Sequence, residues 1–252
     1  MFGSNPLLQD DHPDKSKTGT TSGSSIVDDF MYGSNVAQCH IYIRMGFLRK
    51  VYGILSVQLL VTTLVGAFFM FCEPVKNFVQ HSQLPLMSAM LLTFVLIFAL
   101  MLKRNETPTN YILLAAFTLA ESYLIGTIVT FYDKVIVLEA FVLTLAVTSA
   151  LTVYTLQSKK DFSSWGAGLF AVLWVLILAG LIQMFFPHNK MLELGLSIGG
   201  AVLFSLFIIF DTNMMMHKLS PEEYICAAIN LYLDILNLFL YILRILQASR
   251  NN

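Results

Sequence analysis

The sequence has few charged residues and few cysteines. The first shortage argues against a soluble domain, and the second against a cysteine metal site. Charged residues make up 12% of the 252 residues and hydrophobic residues 56%, whereas a soluble domain has roughly 25% charged residues. The net charge of −1 provides no basic excess for binding nucleic acid. The three cysteines form no CxxC pair and no metal-site spacing, so we expect free thiols. The composition therefore predicts a membrane protein.

Residues 1–43 lack the long apolar runs found in the rest of the chain. The stretch DDHPDKSKTGTTSGSS, residues 10–25, is polar and rich in Gly, Ser and Thr, a composition typical of disorder. No basic start followed by an apolar core marks a cleaved signal peptide, so we expect insertion to use the first spanning helix. The prediction is a disordered cytosolic segment, 1–43, and a transmembrane domain, 44–252.

Six stretches are long and apolar enough for a helix of about 20 residues to cross the hydrocarbon. They cover residues 51–72, 84–102, 110–131, 135–156, 166–186 and 191–210. A seventh stretch, 222–246, is long enough but contains several polar residues. The sequence thus predicts an all-α polytopic membrane protein, with seven crossing helices or with six and a re-entrant C-terminal helix.

The distribution of Lys and Arg favours a cytosolic N-terminus, since cytosolic loops are enriched in both. With that orientation the cytosolic side has ten basic residues against five if the seventh helix crosses, or twelve against three if it re-enters. Charge alone slightly favours the re-entrant form.

Asp234 lies in the middle of the apolar run LYLDILNLFLYIL, residues 231–243. An ionised aspartate there costs about 2.5–3.5 kcal/mol, and intramembrane acids usually have a function. On a helix, four polar residues share its face: Asn230, Asn237, Tyr241 and Arg244. We expect this polar stripe to face inward. The alternative is a hydrogen-bond network that only holds the helices together.

Asp211, in FIIFDTNMMMHKL (207–219), is the candidate partner of Asp234. The apolar character continues past Asp211, so we expect the sixth spanning helix to extend to about Lys218. Two adjacent carboxyl groups would share a proton, and calcium, which favours carboxylate oxygens, would compete for the same site. A turn centred near residue 219 offsets the two aspartates by about 10 Å, which a tilt, a broken helix or an off-centre loop must close.

Three glutamates are further candidates for an ion path. Glu121 lies in the middle of a segment and is interpreted either as a cation or proton way-station or as an internally bonded packing residue. Glu193 and Glu222 stand at helix starts, where the helix dipole explains an acid and where each would also recruit cations at a pore mouth.

No enzyme motif fits its context, so we expect neither catalysis nor a resident cofactor. The stretch GLSIG (195–199) matches the G-x-S-x-G pattern of serine hydrolases, but that motif needs a strand–turn–helix. Two aspartates on neighbouring helices resemble intramembrane aspartyl proteases. Those proteases have a glycine-flanked second aspartate, whereas Asp234 lies between Leu233 and Ile235.

Three stretches resemble the transmembrane BAX inhibitor motif family, which comprises the Bax inhibitor and lifeguard proteins. They are RMGFLRKVYGILSVQLLVTT (44–63), VYTLQSKKDFSSWGAGLF (153–170) and, most specifically, FIIFDTNMMMHKLSPEEYICAAINLYLDILNLFLYILRIL (207–246). Together with SSIVDDFMYGSNVA (24–37), they are most similar to the Golgi anti-apoptotic (lifeguard four) branch. The resemblance covers essentially all of the chain after residue 24. One departure is Phe210, where many members have tyrosine.

The resemblance implies a bundle of seven helices with the last one central, and a pH-sensitive calcium-leak gate formed by Asp211 and Asp234. Asn230 and Asn237 would support this pair by hydrogen bonding. The candidate for an arginine that pairs with the aspartates in a bacterial relative is Arg104.

The resemblance further implies a protein of Golgi, and also endoplasmic reticulum, membranes that lowers stored calcium and opposes apoptosis. Its partners would be the lipid bilayer and calcium as the permeating ion, without nucleic acid; a homo-oligomer remains open. The alternative is a non-conducting adaptor that modulates a calcium-release channel or a death-signalling partner.

Overall fold

The computed structural model describes residues 41–104, 106–158, 160–185 and 190–250, and this part of the chain is helical and contains no strand. The predicted all-α class is confirmed. The eight α-helices are α1 (Ile41–Phe71), α2 (Glu73–His81), α3 (Gln83–Lys103), α4 (Thr109–Val129), α5 (Lys134–Gln157), α6 (Gly166–Phe185), α7 (Lys190–His217) and α8 (Tyr224–Arg250), with a 3₁₀ turn at Ser163–Trp165 before α6. All except α2 are long and apolar enough to cross a membrane.

The helix bounds differ from the predicted segments mainly at the first and sixth spans. The predicted disorder of residues 1–40 lies outside the described residues, but α1 already begins at Ile41, three residues before the predicted domain start. At the sixth span, α7 continues through Asp211 to His217, as its apolar character indicated.

The short helix α2, which the sequence prediction missed, lies between the first two spans. Its first turn contains Glu73 and a proline, Pro74, both suited to a helix N-terminus. Val79 is buried, and the Gln80 side chain donates a hydrogen bond of 2.8 Å to the Thr130 carbonyl at the end of α4. These contacts hold α2 against the bundle at the end where α1 and α4 finish.

The last helix, α8, is the core of the bundle. It packs against α1, α4, α5 and α7, while α3 packs on α4 and α6 on α7. Residues on nearly every side of α8 are buried, including Ala228, Tyr232 and Leu243, none of which has exposed surface. The central position that the resemblance implied for the last helix is therefore confirmed, although it packs closely against four of the other spans.

The re-entrant alternative for the C-terminal segment is wrong. α8 is one uninterrupted helix of 27 residues, about 40 Å long at 1.5 Å per residue. Near its start, Glu223 pairs with Arg104 at the end of α3 at 2.9 Å, and at its finish Arg250 pairs with Glu139 near the start of α5, also at 2.9 Å. Since α3 ends and α5 begins at opposite ends of the bundle, α8 runs the whole length between them.

Candidate functional site

Asp234 is buried in the middle of α8, with 7% of its surface exposed. It lies ten residues after the start of the helix, or about 15 Å along the axis, which is half of a typical hydrocarbon thickness. Within the described part of the chain, its buried Oδ2 atom has no hydrogen-bond partner. A buried acceptor without a donor costs about 1–3 kcal/mol, and a proton shared with a neighbouring carboxyl group would satisfy it.

Asp211 on α7 is the neighbour of Asp234. The two carboxyl groups interact directly, side chain to side chain. Asp211 lies six residues before the end of α7 and Asp234 ten residues after the start of α8, so the offset shrinks to four residues, or about 6 Å. The residues between the helices form turns of their own, which places the connection off-centre and lets the carboxyl groups meet.

Among the residues that the structure describes, no basic side chain pairs with either aspartate. The three ion pairs found among the described residues are Lys103–Glu106, Arg104–Glu223 and Arg250–Glu139. In this part of the chain, no group of three or more His, Cys, Asp or Glu side chains is placed to hold a metal ion. Two adjacent carboxyl groups without a cationic neighbour can share one proton or face one cation, because both cannot stay ionised in a dry environment.

Three hydroxyl groups from α1, α5 and α7 lie together, and the sequence prediction assigned none of them to a site. The Tyr52 hydroxyl on α1 lies beside the hydroxyls of Thr152 on α5 and Thr212 on α7. Neither Tyr52 Oη nor Thr212 Oγ1 reaches hydrogen-bond geometry with a described residue. Tyr52 and Thr212 are 160 positions apart, so spacing could not associate them; only the adjacency of Thr212 to Asp211 was visible in the sequence.

The predicted polar stripe does not face inward as a unit. Asn230 is exposed, and Asn237 is half-buried and donates to the Leu233 carbonyl of its own helix at 2.8 Å. The inward orientation of Asn230 was a wrong prediction, because α8 is covered on most sides and its least covered side carries Cys226, Asn230, Leu233 and Asn237. Helical periodicity identifies a shared face but not which face the other helices cover.

Tyr241 does not take part in the carboxyl pair. Its ring stacks on Phe204 of α7, with centroids 5.7 Å apart and planes at 21°. It also lies against Gly200, where an added Cβ would come within 2.5 Å of the ring. Tyr241 is therefore a packing residue of the α7–α8 contact.

The candidate gate cation, Arg104, is not at the aspartates. It pairs with Glu223, eleven residues before Asp234 on the chain, or about 16 Å along a helix axis. The prediction that Arg104 pairs with the aspartates is wrong for this structure, because α3 ends at the level where α8 begins. Phe210, which replaces the tyrosine of many family members, packs its ring against Gly166 at the start of α6.

The three glutamates proposed for an ion path lie apart from the pair. Glu193 and Glu222 are exposed, in the first turn of α7 and just before α8 respectively. Glu121 is half-buried on α4 and interacts with Tyr232, which lies two residues before Asp234 and so on a nearly opposite face of α8. The structure brings none of the three to the carboxyl pair.

The connection from α5 to α6 is fastened to α7 two residues beyond Asp211. Asn213, which is 1% exposed, accepts a hydrogen bond from the Phe162 N–H at 3.2 Å and donates to the Lys160 carbonyl at 3.3 Å. Beside it, the exposed Asp161 carboxylate accepts the Ser163 N–H at 2.8 Å. Hydrogen bonds from the Ser163 backbone and hydroxyl hold the pKa of Asp161 below its ordinary value, with smaller contributions from the charges of Lys218 and His217.

Comparison with known proteins agrees with the resemblance seen in the sequence. The family model described as "Inhibitor of apoptosis-promoting Bax1" matches residues 44–251. The chain is 54% identical to the Golgi anti-apoptotic protein of vaccinia virus (strain Lister) over 226 residues, which cover 90% of this chain and 95% of the viral protein.

Two cellular relatives span similar lengths. Protein lifeguard 4 of Mus musculus is 53% identical over 225 residues, 89% of this chain and 94% of the mouse protein. Bax inhibitor 1 of Schizosaccharomyces pombe is 42% identical over 226 residues, 90% of this chain and 85% of the yeast protein. With seven apolar helices around a buried core and this coverage, the chain belongs to the anti-apoptotic Bax inhibitor and lifeguard family of membrane proteins.

Proposed function

We propose that this protein lets calcium leak slowly across Golgi and endoplasmic reticulum membranes, at a rate that protons control through Asp211 and Asp234. The observation that carries the proposal is the buried carboxyl pair, which has no basic partner and whose Asp234 Oδ2 receives no hydrogen bond within the described chain. At low pH the pair holds a proton, and at higher pH it accepts a calcium ion, whose two charges match two carboxylates.

The proposed orientation in the membrane rests on the basic residues at the two ends of the bundle. Lys50 at the start of α1 lies over the Tyr224 ring, and Arg104 pairs with Glu223, so the start of α1, the end of α3 and the start of α8 share one end of the bundle. That end has seven of the described basic residues: Arg44, Arg49, Lys50, Lys103, Arg104, Lys160 and Lys218. The opposite end has five: Lys76, Lys134, Lys190, Arg244 and Arg250. The excess favours a cytosolic N-terminus.

The relatives supply the cellular context. The name of the viral relative, Golgi anti-apoptotic protein, supports a Golgi location and an anti-apoptotic role for this chain. A leak that lowers stored calcium would reduce the calcium available for release during death signalling. The protein acts in this proposal as a conductor and not as an enzyme.

The test is calcium flux through the purified protein in liposomes over a series of pH values. The wild-type protein should conduct without added partners, with leak that falls as pH falls. Asp234→Asn and Asp211→Asn should each change the leak and flatten its pH response. Asp161→Asn is the matched control, because it makes the same change in an exposed connection outside the spans. If both intramembrane variants keep the wild-type leak and pH response, the gate assignment is wrong.

The second candidate is a non-conducting adaptor that modulates a calcium-release channel or a death-signalling partner. One observation favours it: the names of the family model and of these relatives refer to apoptosis and not to an ion. The same liposomes separate the two functions. A wild-type protein that is folded but passes no calcium at any pH would support the adaptor.

A further inference from the structure

The exposed side of α1 changes from apolar to basic near the end of the bundle proposed to face the cytosol. About 20 helical residues cross the hydrocarbon, and counted back from Phe71, the last residue of α1, they reach Tyr52. Arg49 and Lys50 follow on the same side of the helix, and both are exposed. Within the hydrocarbon the large exposed side chains of this side are all apolar: Val57, Leu60, Leu64 and Phe68.

A basic side chain also stands at the other end of this stretch of α1. Lys134 Nζ lies 4.6 Å from the centre of the Phe71 ring. Lys50 precedes Phe71 by 21 residues, or about 32 Å along the helix, which is close to the thickness of the hydrocarbon. Arg49 and Lys50 therefore lie at the level of the lipid headgroups.

The first turns of α4 and α8 border Lys50 at this level. Lys50 Nζ lies 5.1 Å from the centre of the Tyr224 ring, a cation–π contact. The Tyr111 hydroxyl donates a hydrogen bond of 3.0 Å to the Tyr224 hydroxyl, and Tyr111 is 45% exposed. Tyrosines are typical of the boundary between hydrocarbon and water, because one end of the side chain is apolar and the other polar.

The charges of Arg49 and Lys50 are not balanced by acids of the protein. Neither residue takes part in an ion pair within the described chain. At the same end of the bundle, Glu223 is already paired with Arg104 at 2.9 Å, and the exposed Glu222 pairs with neither of the two cations. An anionic ligand would supply the missing negative charge.

Two glycines flank the basic pair on the exposed side of α1. Gly46 and Gly53 are two helical turns apart, with Arg49 and Lys50 between them. A Cβ at either glycine would meet nothing within 4 Å, so packing within the described protein does not require glycine, although glycine destabilises a helix relative to alanine. Glycine is also used where a ligand approaches the backbone closely. The open surface at Gly53 leads directly onto the apolar Val57.

We propose that this face of α1 binds an anionic phospholipid. Arg49 and Lys50 hold the phosphate of its headgroup. The glycerol backbone lies against Gly53, and an acyl chain follows Val57 and the apolar residues beyond it. Basic residues at the cytosolic end of a spanning helix attract the anionic lipids of that leaflet. This site does not depend on whether the protein conducts calcium.

A second copy of the chain is the other occupant that glycines on a helix face would favour, because small residues let helices approach closely. Two copies in one membrane share an orientation, so a symmetric contact along this face would bring the basic pairs of both copies together. Like charges in contact oppose association. The charge on this face therefore favours a lipid over a second copy.

The experiment titrates the purified full-length protein in detergent with phosphatidylserine or phosphatidylcholine that have identical acyl chains. Native mass spectrometry measures the dissociation constant of the first bound lipid. One basic residue near an anionic headgroup changes affinity by about fivefold, so the wild type should prefer phosphatidylserine by about 25-fold. The double variant Arg49→Gln/Lys50→Gln should lose this preference. Lys103→Gln should keep it, because it removes the same charge at the same end from a side chain already paired with Glu106 at 2.7 Å.

Gly53→Leu tests the shape of the site with its charges in place. Since a Cβ at Gly53 meets nothing within 4 Å, the variant should fold, and its thermal unfolding checks this. The leucine side chain would occupy the space of the glycerol backbone, so tight binding of phosphatidylserine should be lost. Gly168→Leu is the matched control on α6, where a Cβ also has open space, and it should bind as the wild type does.

Three results would overturn the proposal. The first is equal affinity of the wild type for the two lipids, or equal losses for the double variant and Lys103→Gln. The second is full displacement of the lipid by glycerophosphoserine, the headgroup without acyl chains, at concentrations like those of the lipid, which would assign the site to a soluble phosphate ester. The third is a dimer that Gly53→Leu dissociates and whose wild-type form prefers neither lipid, which would assign this face to a second copy.

Discussion

The two buried faces of the last helix, α8, differ in how fully their polar groups are hydrogen-bonded. On one face, Tyr232 bonds to Thr62 at 2.7 Å, and Thr62 bonds in turn to Ser122 at 3.0 Å. On the other face, Asp234 meets a second carboxyl and leaves an oxygen without a donor among the described residues. Interhelical hydrogen bonds of the first kind hold membrane helices together. Unsatisfied acids of the second kind lower stability and are retained for function.

The Tyr232 face connects three helices through side chains. Besides the Tyr232–Thr62 bond between α8 and α1, Gln58 on α1 donates to Thr118 on α4 at 3.1 Å. Ser122 donates to the Thr118 carbonyl at 2.6 Å. Gln58 Oε1 is the exception, a buried atom without a partner in the described chain. Apart from it, this face is the internally bonded network that the sequence offered as the alternative for Asp234.

The largest effect on the free energy of unfolding should come from Tyr232→Ala. The Tyr232 ring is fully buried and packs edge-on against Phe117, 6.1 Å away, so its loss should cost about 3–5 kcal/mol in the free energy of unfolding. Asp234→Ala, two residues away, should cost little or stabilise the protein, since it removes a poorly satisfied carboxyl. Unfolding by denaturing detergent from mild micelles measures both. Equal losses for the two variants would remove the distinction between the faces.

Much of this arrangement could be predicted from sequence, because apolar length and local spacing are one-dimensional properties. The spans, the extension of α7 past Asp211 and the pairing of Asp211 with Asp234 all followed from residues near one another in the chain. What failed depended on three-dimensional placement. Asn230 was placed inside, although its side of α8 is the least covered, and Arg104 was assigned to the pair, although α3 ends at the level where α8 begins. Tyr52 was missed because α1 meets α7 only in three dimensions.

The second largest loss of stability should come from Gly200→Ala, at the close contact between α7 and α8 beside Tyr241. A Cβ at Gly200 would lie 2.5 Å from the Tyr241 ring, so Gly200→Ala should cost about 1–3 kcal/mol by overpacking. Gly195→Ala is the control. Its Cβ would meet nothing within 4 Å, and in a helix Ala is favoured over Gly by about 0.5–1 kcal/mol. The sequence pattern Gly195-x-x-x-Gly199 is typical of close helix packing, yet the close approach occurs one residue later, at Gly200.

Unfolding of the two glycine variants under the same conditions decides this point. Gly200→Ala should unfold earlier than the wild type, and Gly195→Ala should unfold at the same point or later. If Gly200→Ala also leaves the proposed calcium leak unchanged, dense packing at Tyr241 and the buried carboxyl pair are independent features of the same helix pair. A stabilised Gly200→Ala would show that the ring moves aside at no cost.

The smallest expected effect is a local one: the titration of Asp161, an exposed carboxyl group outside the bundle. The pKa of Asp161 lies below its ordinary value because Ser163 donates to the ionised carboxylate. A lowered pKa in the folded state means that this carboxylate stabilises its turn above the ordinary pKa and loses the effect as pH falls through the lowered value. Asp161 is fully exposed, so the change should be confined to the connection between α5 and α6.

Amide hydrogen exchange at Ser163, followed from neutral to acidic pH and corrected for intrinsic rates, should show protection that fades with acid in the wild type. Asp161→Asn should remove this dependence, because an amide cannot ionise over that range. The pH response of the proposed calcium leak should stay as in the wild type, since the carboxyl groups proposed to control it lie on α7 and α8. If Asp161→Asn shifts the leak's pH response instead, proton sensing belongs to the connection that Asn213 fastens to α7, and the buried pair loses that role.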